Sequence, residues 1–284
     1  MNYNQKRKIK SATGKTFSYA LLVVYAIITL VPILYAVSTS LSGPYEIYRS
    51  SYKWYWHEIN FDSYVAIFEQ YDLFRGFINT LMYIIPPIGV GMFCSALAAF
   101  SFAKLAFPGK KIVFFAMLST IVLPGVITMI PSYVLFSEFY HWMGTPLPLI
   151  VPGMFGSVMT MFFIYQYFMT LPKDLDDAAR IDGMGWFGIF TRIALPLSKS
   201  VIVTQVILSF AGAFNDYLGP LLYVGTVEEY KTLQLMIATI NTSQYVRHTY
   251  TMAGAVVAMI PVLTLFMFAQ RYFVDGIVFT GIKG

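Results

Sequence analysis

The sequence has little charge, one cysteine and few histidines. Only 12% of its 284 residues are charged, whereas 57% are hydrophobic. A soluble domain of this length needs more polar surface around its core, so the composition excludes an ordinary soluble protein. The single cysteine, Cys94, excludes an intrachain disulfide. The histidines, His57, His141 and His248, are too far apart in sequence for metal-ligand spacing, so we expect no metal site.

Six long apolar blocks occupy most of the chain, each near or above the roughly 20 residues that a helix needs to cross a bilayer. They cover residues 17–41, 78–103, 112–136, 147–171, 201–224 and 252–273. None alternates with a period of two, which disfavours the strands of a membrane barrel. The sequence therefore predicts an all-α membrane protein. Its six-helix domain, 17–273, lies between a basic N-terminus, 1–16, and a short tail, 274–284.

Most of the 19 lysines and arginines fall on one side of these blocks. That side holds the N-terminus, the segments after the second and fourth blocks, and the tail; the other side holds only Arg49, Lys53, Arg75, Lys231 and Arg247. The positive-inside rule then puts both termini in the cytoplasm. Because the basic residues flank membrane spans, the positive net charge reflects topology and anionic lipid, and we expect no binding of nucleic acid.

The charged segment 172–198, between the fourth and fifth blocks, predicts two short helices. Pro172 and the aspartates after it are typical of a helix start, and Gly183 can end that helix in a left-handed conformation. Trp186, Ile189, Phe190 and Ile193 then share one helical face, and Leu195-Pro196 ends the second helix. Such a compact pair either rests on lipid as an amphipathic connector or fits a groove on a partner.

This segment resembles the Glu-Ala-Ala loop of ABC importer permeases. The family pattern is Glu-Ala-Ala, three residues, Gly, nine residues, Ile, one residue and Leu-Pro. Every fixed position agrees except the first, where an aspartate replaces glutamate. The resemblance implies a cytoplasmic coupling loop, 172–198, that contacts an ATPase through Asp177, Ala178, Ala179, Asp182, Gly183, Ile193, Leu195 and Pro196.

The resemblance extends over residues 17–284 and is most specific for the shorter permease subunit of maltose-type carbohydrate importers. It rests on the Ser38 to Leu41 end of the first block, Ala98 to Lys104, Asn215-Asp216-Tyr217 and the tail Thr280 to Gly284. It implies a heterodimer with a homologous second permease, in a bacterial-type cytoplasmic membrane. It also implies an ATPase dimer and an extracytoplasmic sugar-binding protein, with Gly281, Ile282, Lys283 and Gly284 reaching the ATPase.

We expect this chain to bind no cofactor and to catalyse no reaction, with ATP and magnesium held by the partner ATPase. Gly14-Lys15-Thr16 imitates the end of a phosphate-binding loop, but residue 9 is isoleucine where that loop requires glycine. The resemblance then implies import of a carbohydrate, such as an oligosaccharide, by alternating access.

Asp216 is the acidic residue that we place inside a span, where a carboxylate is costly and should face the bundle or a cavity. With Asn215 and Tyr217 it either bonds neighbouring helices or lines a translocation path. Outside the membrane, segment 42–77 is rich in aromatic residues and forms either an interfacial belt or a sugar-stacking surface. The outer loop 225–250 is our candidate for contact with the binding protein.

Two other classes of protein remain possible from composition alone. A stand-alone secondary transporter or channel would have paired charges in several spans and inverted halves, neither of which we find in the sequence. A membrane-embedded enzyme would need a cluster of carboxylates near an interface. The aspartates at 174, 176, 177 and 182 form such a cluster, but they belong to the segment that resembles the coupling loop.

Overall fold

A computed structural model describes residues 3–43, 59–242 and 248–281, which fold into helices and turns without a strand. The α-helical class is therefore confirmed. In chain order the helices are α1 (Tyr3–Ser40), α2 (Asp62–Gln70), α3 (Leu73–Lys104), α4 (Lys110–Ile121), α5 (Gly125–Val134), α6 (Leu147–Met154), α7 (Val158–Thr170), α8 (Lys173–Ile181), α9 (Trp186–Ile189), α10 (Leu195–Leu197), α11 (Lys199–Phe214), α12 (Leu218–Tyr223), α13 (Leu233–Thr242) and α14 (His248–Gly281). Short π-helical turns follow α5 (Leu135–Phe139) and α9 (Phe190–Ala194), and a 3₁₀ turn covers Glu228–Tyr230.

In the described part of the chain, four stretches are long and apolar enough to cross a membrane, or up to six if each bent helix pair is one span. The four are Lys15–Ser40, Leu73–Lys104, Leu147–Thr170 and His248–Gln270. They match the first, second, fourth and sixth predicted blocks. The chain is thus a multi-pass membrane protein by composition and helix length.

The third and fifth predicted spans are not single helices. Helices α4 and α5 meet at a 97° bend, because Pro124 is extended, with ψ of 134°, and cannot continue the hydrogen-bond ladder. Helix α11 has 16 residues, which gives about 24 Å of length, less than a bilayer core. The bent pair that contains α11 joins it to Trp186–Leu197 across a 76° bend, and a break at Asn215 to Tyr217 separates α11 from α12.

The chain divides into two compact units. The first comprises Met1–Tyr71 and Thr239–Val257. Within it, the chain leaving α1 is joined to α2: the Asn60 N–H donates to the Leu41 carbonyl over 2.9 Å, and the hydroxyls of Ser40 and Tyr64 lie 2.8 Å apart. These bonds fix how the described end of the first predicted span meets α2.

The second unit, Asp72–Ala238 with Ala258–Gly284, is organised around α3, which packs on α6, α7 and α11. Small residues make the closest approach possible. A Cβ on Gly91 would lie 2.2 Å from the Gly153 carbonyl oxygen, so any larger residue would force the helices apart. The α6–α7 break is fixed by α3 too, since Ser95 Oγ accepts the Ser157 N–H over 2.9 Å. These contacts place α3 at the centre of the unit.

Candidate functional site

The first short helix of the segment 172–198 forms as the sequence predicts. Helix α8 follows Pro172 and carries Asp174 and Asp176 in its first turn. Gly183 ends it with a φ of 80°. The Met184 N–H donates to the Ala179 carbonyl over 2.9 Å and the Gly183 N–H to the Arg180 carbonyl over 3.0 Å. This pair of bonds is a Schellman motif, so Gly183 has the left-handed role expected of it.

The second short helix differs from the prediction in two ways. The π-helical turn Phe190–Ala194 adds one residue to the helical repeat and rotates the positions after it. Ile189 and Phe190 are fully buried as expected, but Ala194 is buried in place of Ile193, which is only half-buried. Leu195-Pro196 does not end the helix, which continues to Leu197 and turns at Ser198.

An ion pair joins this segment to the end of α3. Lys104 Nζ lies 2.7 Å from Asp176 Oδ2 and 3.3 Å from the Leu171 carbonyl oxygen. The side chains of Lys104 and Asp176 are only 8% and 12% exposed, so solvent screens the pair weakly. Sequence reasoning treated Asp176 as a helix-start residue and Lys104 as a topology signal. A lysine directly after a long apolar helix was the signal that could have suggested a partner.

Aromatic side chains extend this attachment into the bundle. Phe100 of α3 lies 5.9 Å from Phe168, 5.3 Å from Phe190 and 6.4 Å from Trp186, measured between ring centroids. The guanidinium of Arg180 lies 5.0 Å from the Trp186 ring, within cation–π range. Both short helices are therefore held against α3 and α7. We call residues 172–198, so attached, the knob.

The knob leaves a mixed apolar and acidic face exposed. Of the motif residues, Asp177, Ala178, Asp182, Gly183 and Pro196 are exposed, Ala179 is buried, and Ile193 and Leu195 are intermediate. Two large apolar side chains beside them, Ile181 and Phe187, are 87% and 63% exposed. Apolar side chains this exposed, next to acidic ones, suit a surface that rests on lipid or binds another protein.

The structure describes only part of the tail. Gly281 is the last residue of α14, and Ile282, Lys283 and Gly284 lie outside the described residues. Half of the aromatic residues of segment 42–77, and residues 243–247 of loop 225–250, also lie outside them.

Asp216 lies at a cavity between the helices, whereas its two neighbours do not. The cavity has a volume of about 230 Å³ and is lined by residues of α3, α6, α7, α11 and the segment 216–232. Asp216 Oδ1 accepts the Gly219 N–H over 3.2 Å. Asn215 donates to the Ala211 carbonyl and accepts a bond from Gln234, so it bonds one segment to another. Neither Asn215 nor Tyr217 lines the cavity.

Three polar residues of α3 that the sequence did not single out hold the segment after α12. Asn79 Nδ2 donates to the carbonyls of Glu229 and Lys231 over 2.8 and 3.0 Å. Thr80 Oγ1 accepts the Leu233 N–H over 3.0 Å, and the Tyr83 hydroxyl donates to the Tyr230 carbonyl over 3.2 Å. We call these bonds the outer clasp. Polar residues at the start of an apolar block were the signal available in the sequence.

Comparisons with known proteins agree with one another. The family described as binding-protein-dependent transport system inner membrane component matches residues 70–278. The arabinooligosaccharides transport system permease protein AraQ of Bacillus subtilis (strain 168) is 31% identical over 230 residues, 80% of this chain and 80% of that protein.

Two solved structures share the fold. A bacterial ABC transporter involved in the import of the acidic polysaccharide alginate matches with a TM-score of 0.80 and 20% identity, over 93% of this chain and 98% of that one. A bacterial alginate ABC transporter in complex with alginate pentasaccharide-bound periplasmic protein matches with a TM-score of 0.69 and 19% identity, over 92% and 95%.

Proposed function

Because the chain belongs to the family of binding-protein-dependent transport system inner membrane components, we propose that it is the permease subunit of an ABC importer that moves a carbohydrate across the membrane by alternating access. The carbohydrate class is supported by the arabinooligosaccharide transport named for one relative and the alginate import named for a solved neighbour. Membership of a transport family, rather than a family of catalytic subunits, also agrees with a role outside catalysis.

The observation that carries the mechanism is the attachment of the knob. A loop can transmit force only if it is fixed to the part that it moves, and the knob is fixed to α3 by the Lys104–Asp176 pair and by Phe100. Its free face presents Ile181 and Phe187. We therefore propose that this face contacts an ATPase dimer, which holds ATP and magnesium. Residues Asp177, Ala178, Asp182 and Gly183 lie at the contact, and the tail from Gly281 to Gly284 reaches the same partner.

This assignment also orients the chain. An ATPase works in the cytoplasm, so the knob, the basic N-terminus and the tail lie on that side of a bacterial-type inner membrane. The outer clasp then lies on the opposite side, because α3 has 32 residues and spans about 48 Å between the two ends. The proposed domain arrangement is the six-span bundle 17–273 between the basic segment 1–16 and the tail 274–284.

Two further partners fit the exposed surfaces. Helices α4 and α5 and the break between them expose large apolar side chains, among them Ile112, Val122 and Ile130, each at least two-thirds exposed. Lipid and a homologous second permease are the surroundings that such side chains require. Outside, the outer clasp holds residues 229–233 rigidly, and we propose that the loop 225–250 contacts a sugar-loaded binding protein.

In this mechanism ATP acts because the ATP-bound ATPase binds one state of the bundle more tightly than the other. ATP-bound partners draw the knobs together, α3 carries that movement to the outer clasp, and the bundle opens outward to receive sugar. The free energy by which ATP shifts the equilibrium between the two bundle states can be no larger than the difference in the ATPase's binding free energy for those states.

Reconstitution of the purified chain tests the proposal. The chain is placed in vesicles with its second permease, ATPase and binding protein, and uptake of labelled oligosaccharide is measured with and without ATP. Uptake that requires all components and ATP supports the proposal. Uptake by this chain alone, without ATPase, contradicts it and favours a stand-alone transporter.

A further inference from the structure

The cavity beside Asp216 contains hydroxyl groups that the protein itself does not use. Thr232 Oγ1 is buried without a hydrogen-bond partner among the described residues. The hydroxyls of Ser157, Thr160 and Ser209, which line the same cavity, are likewise unbonded to any other described residue. These groups come from three separate elements, α7 with the turn before it, α11, and the segment before α13. They converge on one space.

Many hydroxyls elsewhere in the described helices are satisfied by their own helix, although the buried hydroxyls of Ser63, Ser198, Thr249 and Thr251, none of which lines this cavity, have no partner among the described residues. Thr204 Oγ1 donates to the Ser200 carbonyl over 2.9 Å, Ser119 Oγ to Ala116 over 2.7 Å and Thr170 Oγ1 to Tyr167 over 2.7 Å. This is the usual state of serine and threonine in an apolar helix, since an unsatisfied hydroxyl away from water is costly. What distinguishes Ser157, Thr160, Ser209 and Thr232 is that their unbonded hydroxyls share one cavity, which indicates that their partner is a molecule which enters it.

The charge of the lining selects among polar ligands. Asp216 is the charged residue of the lining, and no lysine, arginine or histidine is among the lining residues, all of which the structure describes. One carboxylate oxygen accepts the Gly219 N–H, and the other has no partner among the described residues. A carboxylate only accepts hydrogen bonds, so it suits a ligand with neighbouring hydroxyl donors and repels an anion.

The remaining lining suits the carbon skeleton of a sugar. Pro87, Ile88, Met92 and Leu149 give the cavity apolar lining in addition to the hydroxyl groups. Its volume of about 230 Å³ equals the liquid volume of roughly eight water molecules. That is room for a single six-membered ring with its hydroxyls, and too little for a whole oligosaccharide.

We propose that this cavity is a binding site for one ring of a neutral carbohydrate, in which Thr160, Ser209 and Thr232 hydrogen-bond the sugar and Asp216 accepts from its hydroxyls. The inference rests on the proposed function and deepens it: this chain contacts the transported sugar directly, and the site excludes uronic acids. The sugar lies between helices of this subunit, where it forms hydrogen bonds with side chains that would otherwise have no partner.

Equilibrium binding to the complete importer tests the site. Labelled maltotriose and arabinotriose serve as neutral probes and a tri-uronate as the acidic probe, each measured without the binding protein. At least one neutral probe should bind, and the tri-uronate should not. Thr160→Val and Ser209→Ala should each weaken that binding about two- to tenfold, the value of one hydrogen bond between neutral groups. Thr160→Ser, which keeps the hydroxyl, should bind as the unaltered importer does.

Thr204→Val is the matched control, because Thr204 lies on the same helix as Ser209 but is bonded within it. Equal affinity of Thr160→Val, Ser209→Ala and the unaltered importer, or equal loss with Thr204→Val, overturns the site. Tighter binding of the tri-uronate than of the neutral probes also overturns the site. A cavity in which only water is found overturns it too.

A protection experiment measures whether the sugar covers residue 209, rather than how much affinity its hydroxyl contributes. In a Cys94→Ala background, Ser209→Cys should react with a small neutral thiol reagent, and saturating neutral trisaccharide should slow that reaction at least about threefold. Thr204→Cys should not be protected. Absence of protection at residue 209 contradicts the site. If the unaltered importer takes up sugar with ATP while these results fail, only the site is wrong; if no ATP-driven uptake occurs, the proposed function itself is wrong.

Discussion

The ammonium of Lys104 lies 2.7 Å from the carboxylate of Asp176 and joins the end of α3 to the first helix of the knob. The same ammonium donates to the Leu171 carbonyl, so it also fixes the end of α7. Both partners are almost buried, and a buried charge left without its partner is far more costly than a missing surface pair. This pair is therefore the connection through which the knob should move the bundle.

Removal of one member of the pair should uncouple the knob. Lys104→Met leaves the Asp176 carboxylate buried and unpaired, which costs on the order of 3–5 kcal/mol where the geometry cannot relax. We expect ATP-driven uptake to fall at least about tenfold. The measurement is uptake in vesicles, together with the ATPase activity stimulated by binding protein, at equal amounts of assembled importer.

The charge-reversed double variant is the control for that experiment. Lys104→Asp with Asp176→Lys restores an ion pair of opposite polarity, so it should recover part of the uptake that either single change loses. If the double variant is no better than the worse single variant, and both singles assemble normally, the ion pair is not what couples the knob.

Replacement of Gly183 by any other residue should strain the backbone of the knob. Its φ is 80°, and a Cβ there would meet no atom within 4 Å, so strain in the left-handed conformation is the whole penalty. Gly183→Ala should destabilise the knob by about 1–2 kcal/mol. Gly183→Pro, whose φ is fixed near −65°, should abolish uptake and weaken ATPase association while membrane insertion stays normal.

Gly185 provides the comparison, because it is equally open but has an ordinary φ of −76°. Gly185→Ala should co-purify with ATPase as the unaltered chain does. An unchanged yield of ATPase with Gly183→Pro would show that the Schellman turn is not needed for the contact.

Local patterns predicted the knob better than they predicted the spans. Proline, aspartate and glycine positions set the ends of α8 because their effects are confined to one turn, and the structure reproduces them. The π-helical turn after α9 was not predictable, since no residue of Phe190–Ala194 signals it and packing selects it. The 97° bend at Pro124 could have been suspected from the proline alone, but its size depends on neighbouring helices.

The sequence likewise indicated some of the site residues and not others. Asp216 was found because an acidic residue in an apolar block is rare, whereas Asn79, Thr80 and Lys104 were read as parts of a span or a topology signal. Their roles come from partners more than 60 positions away along the chain, which one sequence does not reveal.

The exposed apolar face of the knob should determine binding of the ATPase rather than folding. Ile181 is 87% exposed, so Ile181→Ser removes little packing within this chain and should change stability by less than about 0.5 kcal/mol. We expect the yield of co-purified ATPase to fall at least about fivefold, because large apolar side chains in a protein contact contribute much of its affinity.

Leu175 is an exposed apolar residue on the same helix, roughly 120° around from Ile181. Leu175→Ser should therefore retain more ATPase than Ile181→Ser. Equal losses with both variants would mean that general hydrophobicity of the helix, and not the face containing Ile181, supports the contact.

The outer clasp should affect how the importer responds to its binding protein. Thr80→Val has the same shape as threonine but leaves the buried Leu233 N–H without an acceptor, whereas Thr80→Ser keeps the acceptor. If α3 carries movement between the knob and the outer loop, Thr80→Val should lower the stimulation of ATPase activity by sugar-loaded binding protein. The loss should be about threefold, which corresponds to one interhelical hydrogen bond in a membrane protein. Thr80→Ser should retain most of the stimulation.

Amide hydrogen exchange of residues 228–233 checks the cause, since Thr80→Val should speed exchange at Leu233 while leaving the knob protected. Equal stimulation of the valine and serine variants, despite faster exchange at Leu233, would show that this segment does not transmit the signal from the binding protein.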